Sequence, residues 1–86
     1  MQLIALLEAA VAKLTSAGVE SPEIDAQLLA AHVLDSSRGG IQSDLIIGRE
    51  LTDAQAEQID LLVAERAKRI PLQHLTGTGY FRNLEL

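Results

Sequence analysis

Thr52-Asp53-Ala54-Gln55, followed by Ala56, Ile59, Leu62, Val63, Arg66 and Ile70-Pro71, is the stretch whose reading decides the fold. Thr52 and Gln55 have the spacing of a capping box, in which each side chain bonds the other residue's backbone amide at the start of a helix. Ala56, Ile59, Leu62, Val63 and Ile70 then recur at helical spacing and form one apolar face. Pro71 disfavours helical geometry in the residue before it, so this helix is predicted to end at Ile70. Glu57, Asp60 and Glu65 fall on the opposite, solvated face.

Upstream, three more helices follow from the same logic. Ser36-Ser37 can cap a short helix over Gly40 to Ile47, with Ile41 and Leu45 one turn apart and Gly48 at its exit. Gly39 and Gly40 weaken its first turn by roughly 1 kcal/mol each relative to Ala, which makes it the least stable helix expected. Ser21-Pro22-Glu23 supplies a cap, a first-turn proline and an acid at the positive end of a helix dipole, so a helix runs from about Pro22 to Leu34. Its apolar residues lie on two sides, Ile24, Leu28 and Ala31 on one and Leu29 and Val33 nearly opposite. Such a helix is central, packed from both sides. The first helix covers Gln2 to Ala17, where Leu3, Leu6, Leu7, Ala10, Val11 and Leu14 make a broad stripe and Gly18 ends the run.

Downstream of Pro71 the pattern changes. Leu72-Gln73-His74-Leu75 can make one more turn, Gly77 and Gly79 break it, and Tyr80 to Leu86 reads as two strand pieces around Arg82-Asn83. Leu84 and Leu86 still alternate at the last residue, so the natural chain is expected to continue. The fold class is therefore all-α, a small bundle of four to five helices, with a short C-terminal β-hairpin leading to a missing domain. Residues 1–70 form the helical domain and residues 71–86 the linker and hairpin start. A chain of 86 residues has room for one core, and with only Tyr80 and Phe81 aromatic that core is built from Leu, Ile, Val and Ala.

Composition narrows the function. The net charge of −5 repels phosphate backbones and argues against direct nucleic-acid binding. Glu8 and Lys13 interrupt the first apolar run, which argues against a signal peptide and a membrane span. The chain has no cysteine, hence no thiolate nucleophile, no disulfide and no sulfur ligand, and the expected compartment is the cytoplasm. Residues 1–37 hold Glu8, Glu20, Glu23, Asp25 and Asp35 against Lys13 alone, while Arg66, Lys68 and Arg69 gather in one turn that could meet an acidic partner.

No motif carries chemistry. His32 and His74 lack a second His at metal-binding spacing, so no metal site is expected. Asp35-Ser36 is similar to the attachment site of an acyl carrier protein, but Ser37 and Arg38 follow where that pattern has an apolar residue, and capping explains the serine better. Gly77-Thr78-Gly79 lacks the third glycine and the flanking strand and helix of a dinucleotide loop. No calcium loop and no persuasive acid–base carboxylate pair is present. Arg66 interrupts the stripe of Ile59, Val63 and Ile70, where a charge must snorkel or find a carboxylate; a partner within the fold is preferred to an external contact.

Pro71-Leu72-Gln73-His74-Leu75-Thr76-Gly77, with Phe81 and Leu84-Glu85-Leu86, resembles the segment joining the two domains of release factor glutamine methyltransferases, the HemK or PrmC family. Pro22-Glu23-Ile24-Asp25-Ala26, His32-Val33-Leu34 and Arg49-Glu50-Leu51-Thr52 look similar too, and Asn83 stands where the family often has Gly. The resemblance implies a helical N-terminal domain ahead of a Rossmann-like catalytic domain that uses S-adenosylmethionine to methylate the glutamine of the Gly-Gly-Gln motif of peptide chain release factors. The family's Asn-Pro-Pro-Tyr signature is absent, since Pro22 and Pro71 are not adjacent. No catalytic or cofactor-binding residue is thus expected here. The expected partners are release factors and the catalytic domain of the same protein, with Arg66, Arg69, Gln73 and His74 as candidate contact residues. Two alternatives are a domain that only stabilises the catalytic domain and a freestanding acyl-carrier-like protein bearing its arm on Ser36.

Overall fold

Periodic leucines and alanines do close into helices. The computed structural model describes residues 1–76, with α1 (Leu3–Ser16), α2 (Pro22–Leu34), α3 (Arg38–Ile47), α4 (Asp53–Ala67) and α5 (Leu72–Thr76). The turn at Gly77 to Gly79 and the hairpin expected from Tyr80 to Leu86 lie outside the described residues. The stripe of α1 is buried as its spacing requires, at Leu3, Leu6, Leu7, Ala10 and Leu14. The side of α4 that carries Ile59, Leu62 and Val63 is buried too. Val19 and Leu51 bring two loop residues into the same core, and fully buried Leu75 ties α5 to it.

The centre of the molecule is α2, which packs against each of the other four helices. Its buried residues are Asp25, Ala26, Leu29, Ala30 and Ala31. Packing from several sides is as the pattern predicts, but the assignment of faces needs correction, because Ile24 is 42% exposed while Ala26 and Ala30 are wholly buried. Small alanine side chains, not the larger Ile24, occupy the crowded faces. Asp25 is the one buried polar residue among the described residues, 8% exposed. Its Oδ2 accepts from Arg66 Nε at 2.9 Å, and Arg66 Nη1 donates to the Ile70 carbonyl at 3.2 Å. The arginine on the apolar stripe of α4 therefore finds its carboxylate across the bundle.

Helix starts follow their signals unevenly. Thr52 and Gln55 form the complete capping box, at 3.0 and 3.1 Å. Ser37 accepts from Gly40 N at 3.1 Å, so α3 begins at Arg38, two residues earlier than expected. A Cβ on Gly40 would meet the exposed Ser36 hydroxyl, which would have to rotate away. Ser21 makes no side-chain cap, because its backbone (φ −123°, ψ 68°) leaves the extended conformation that aims a hydroxyl at the first turn. The start of α1 is served by a loop instead. Leu3 N donates to the Arg49 carbonyl at 2.9 Å and Leu51 N to the Met1 carbonyl at 2.8 Å, so the first residues pair with the α3–α4 connection.

The four longer helices end in one way. After each stands a residue with positive φ: Gly18 (83°), Asp35 (56°), Gly48 (73°) and Arg69 (74°). The next amide then donates to the carbonyl five residues back, as in Val19 to Leu14 (3.0 Å), Ser36 to Ala31 (2.8 Å), Arg49 to Asp44 (3.0 Å) and Ile70 to Glu65 (3.4 Å). This is the closure that satisfies orphan carbonyls at a helix end. It also corrects the end of α4, which stops at Ala67 and not at Ile70, since Arg69 turns left-handed before Pro71 can act.

Two outcomes follow. A left-handed Arg69 carries strain of about 1 kcal/mol, and its guanidinium, exposed and 3.5 Å from the Ala17 carbonyl, offsets little of it. Arg69→Gly should raise the denaturant midpoint and Gly18→Ala should lower it; a drop for Arg69→Gly would mean the side-chain contact outweighs the strain. Arg66→Met should lower unfolding free energy by about 2–3 kcal/mol, because it strands the Asp25 carboxylate. The double variant Asp25→Leu/Arg66→Met should recover most of that loss, and an equally unstable double variant would show that the cost lies in packing.

Candidate partner-binding surface

The four candidate contact residues separate into two groups. Arg66 is half-buried and committed to Asp25 and Ile70, its side chain keeping 21% exposure. Arg69, Gln73 and His74 are exposed at the corner where α4 gives way to α5. Leu75 anchors this corner from below. Lys68 pairs with Glu65 at 3.3 Å on the same turn, so part of the positive charge that clusters in sequence is neutralised locally. His32 is half-buried on α2, and no group of three or more His, Cys, Asp or Glu able to hold a metal occurs among the described residues.

Ser36 is exposed in the short connection between α2 and α3, with its hydroxyl 3.5 Å from the Ser37 carbonyl. The neighbouring Ser37 does the capping. Asp35 serves as the left-handed end of α2. Asp35 thus has a local backbone role, and the cap expected of Ser36 falls to Ser37.

A second surface has no motif to mark it in the sequence. Ile4, Leu7, Glu8 and Val11 of α1 face Glu23, Ala26 and Gln27 of α2 across an open groove of about 290 Å³, completed by Leu45 of α3. Its floor is aliphatic and its edges carry two carboxylates. Gln27 is held in place by Arg38 Nε at 3.1 Å and Gln42 Nε2 at 3.5 Å, both on α3. Ile46 lies one helical turn beyond Gln42, which puts it on the same side of α3, and it is 86% exposed. Ile4, in the lining of the groove, is 41% exposed, and Ile47, which follows Ile46 in α3, is 75% exposed. The signal available in sequence was Ile46-Ile47 itself, an apolar pair that the spacing of Ile41 and Leu45 leaves unburied.

No helix among the described residues is long and apolar enough to cross a membrane. No solved structure matches the chain. Curated relatives do match it along nearly its whole length. It is 50% identical over 80 residues to the release factor glutamine methyltransferase of Mycolicibacterium smegmatis, covering 93% of this chain and 27% of that protein. The enzyme of the same name from Deinococcus radiodurans is 51% identical over 78 residues, covering 90% and 27%. That of Bifidobacterium longum is 37% identical over 87 residues, covering 100% and 30%. The chain thus spans little more than a quarter of the length of these relatives. Residues 5–77 match the PrmC N-terminal domain, a region that takes in α2 to α5 and all but the first two residues of α1, and the chain belongs to the PrmC N-terminal domain family.

Proposed function

We propose that this chain is the substrate-recognition domain of a protein-(glutamine-N5) methyltransferase acting on the Gly-Gly-Gln glutamine of peptide chain release factors. The observation that carries this reading is the similarity of almost the whole chain to proteins named release factor glutamine methyltransferase, of which it covers little more than a quarter. Membership of this family displaces the acyl-carrier alternative, and the local roles of Asp35 and Ser37 agree.

Methyl transfer to one side-chain amide needs that amide held in line with the donor methyl group. Contacts far from the reacting atoms can supply this positioning, since remote binding energy offsets the cost of orientation. A rigid bundle anchored by buried leucines suits that task. The expected cofactor of the whole protein is S-adenosylmethionine. The described residues do not fit it, having no strand followed by a glycine turn and a helix of the kind that cradles such a molecule. We therefore assign cofactor and chemistry to a catalytic domain joined through residues 71–86, with residues 1–70 as the recognition domain and the cytoplasm as the compartment. Within this reading Arg69, Gln73 and His74 are contact candidates at the joining corner, and Arg66 acts by holding α4 to α2.

The test is kinetic. Full-length enzyme and a version lacking residues 1–76 are compared on intact release factor and on a short Gly-Gly-Gln peptide. Recognition predicts that deletion lowers kcat/KM on the release factor at least about tenfold, or about 1.4 kcal/mol, and changes the peptide reaction little. Equal kcat/KM on the release factor would remove the recognition role, and a lower thermal midpoint with unchanged substrate affinity would mark the bundle as a stabilising scaffold.

A further inference from the structure

We propose that the groove between α1, α2 and α3 docks an amphipathic helix of the release factor whose apolar face is flanked by lysine or arginine. This rests on the recognition reading above and names the surface that performs it.

The floor of Leu7, Val11, Ala26 and Leu45 is aliphatic and open, and its volume of about 290 Å³ admits a few anchor side chains. That is the arrangement in which a helix lays residues at i, i+3 or i+4, and i+7 into a groove. Exposed Ile4 and Ile46 widen the apolar footprint. Isolated exposed aliphatic residues are ordinary, but several clustered around a concavity mark a contact surface.

Charge selects the occupant. Glu8 and Glu23 stand on the two walls, both exposed, and neither has an ion-pair partner among the described residues. Two carboxylates flanking an apolar floor favour a helix with cationic residues beside its apolar face. A second copy of this chain is a poor occupant, because its charge is −5 and its basic turn already pairs Arg66 with Asp25 and Lys68 with Glu65. The α4–α5 corner is a poor source too. Glu23 and Gln27 lie on one side of α2, and Asp25, which reaches α4, lies about 160–200° around the helix from them at 100° per residue. The groove thus faces away from the side of α2 that holds α4.

The experiment titrates the 86-residue chain with unmodified release factor by calorimetry at low and at physiological salt. Four forms are compared, all altered only at exposed positions and checked for an unchanged thermal midpoint. They are the parent, Ile4→Asp/Ile46→Asp, Glu8→Lys/Glu23→Lys, and Leu61→Asp on α4, where Leu61 is 60% exposed. We expect the parent to bind, the isoleucine pair to weaken binding by about tenfold or more, and Leu61→Asp to leave it within about twofold. The charge reversal should weaken binding by about three- to tenfold and abolish its salt dependence. Parent-like binding by both groove variants would overturn the groove assignment and leave the recognition reading standing. A parent chain that shows no binding would overturn both, and a groove-dependent dimer in sedimentation would replace the release factor with a second copy.

Discussion

Everything in this bundle depends on α2 being small enough on its buried faces to be approached by every other helix. Ala26, Ala30 and Ala31 bring neighbouring backbones close, and Leu29 fills the remaining space. A fully buried Leu is worth about 1.5–3 kcal/mol, whereas an alanine contributes less by its own area and more by what it lets others bury. In a chain of this length, which hides only about 60% of its unfolded surface, no second core can compensate if α2 loosens. The Asp25–Arg66 pair belongs to the same constraint. Asp25 is the polar member of the buried set of α2, and the pair joins α2 to α4 and to the backbone that leads into α5.

Much of this was legible in the sequence, and the failures share a cause. Helix starts with side-chain caps could be read at Thr52 and Ser37, since those bonds span three residues. Helix ends could be read at Gly18 and Gly48, where glycine advertises a left-handed residue. The end of α2 at Leu34 is legible too, but the left-handed closure at Asp35 and the one at Arg69, both made without glycine, are not. Pro71 is a visible stop and points to an end at Ile70, whereas the earlier turn at Arg69 has no composition to announce it. Nor could spacing tell that Ile24 would face water while Ala26 and Ala30 were enclosed, because that depends on where α1, α3 and α4 approach.

The two surfaces show the same division. Arg66 stands out in the sequence because it breaks a stripe, which implies a carboxylate within the fold, and the structure supplies Asp25, 41 residues away. The groove has no such mark, since Ile4, Glu8, Glu23 and Leu45 belong to three helices and each is unremarkable in its own. Concavity is a property of how helices are set against each other. A rigid hub matters for such a surface, because a groove between three helices keeps its shape only while the helix common to their packing holds still.

The direct measure of that rigidity is native-state hydrogen exchange of the chain, resolved by residue. If α2 is the hub, the amides of Ala26 to Ala31 exchange only through global unfolding, with an opening free energy equal to that from denaturant titration. Exchange of those amides through a cheaper local opening, while α1 and α4 stay protected, would contradict the account.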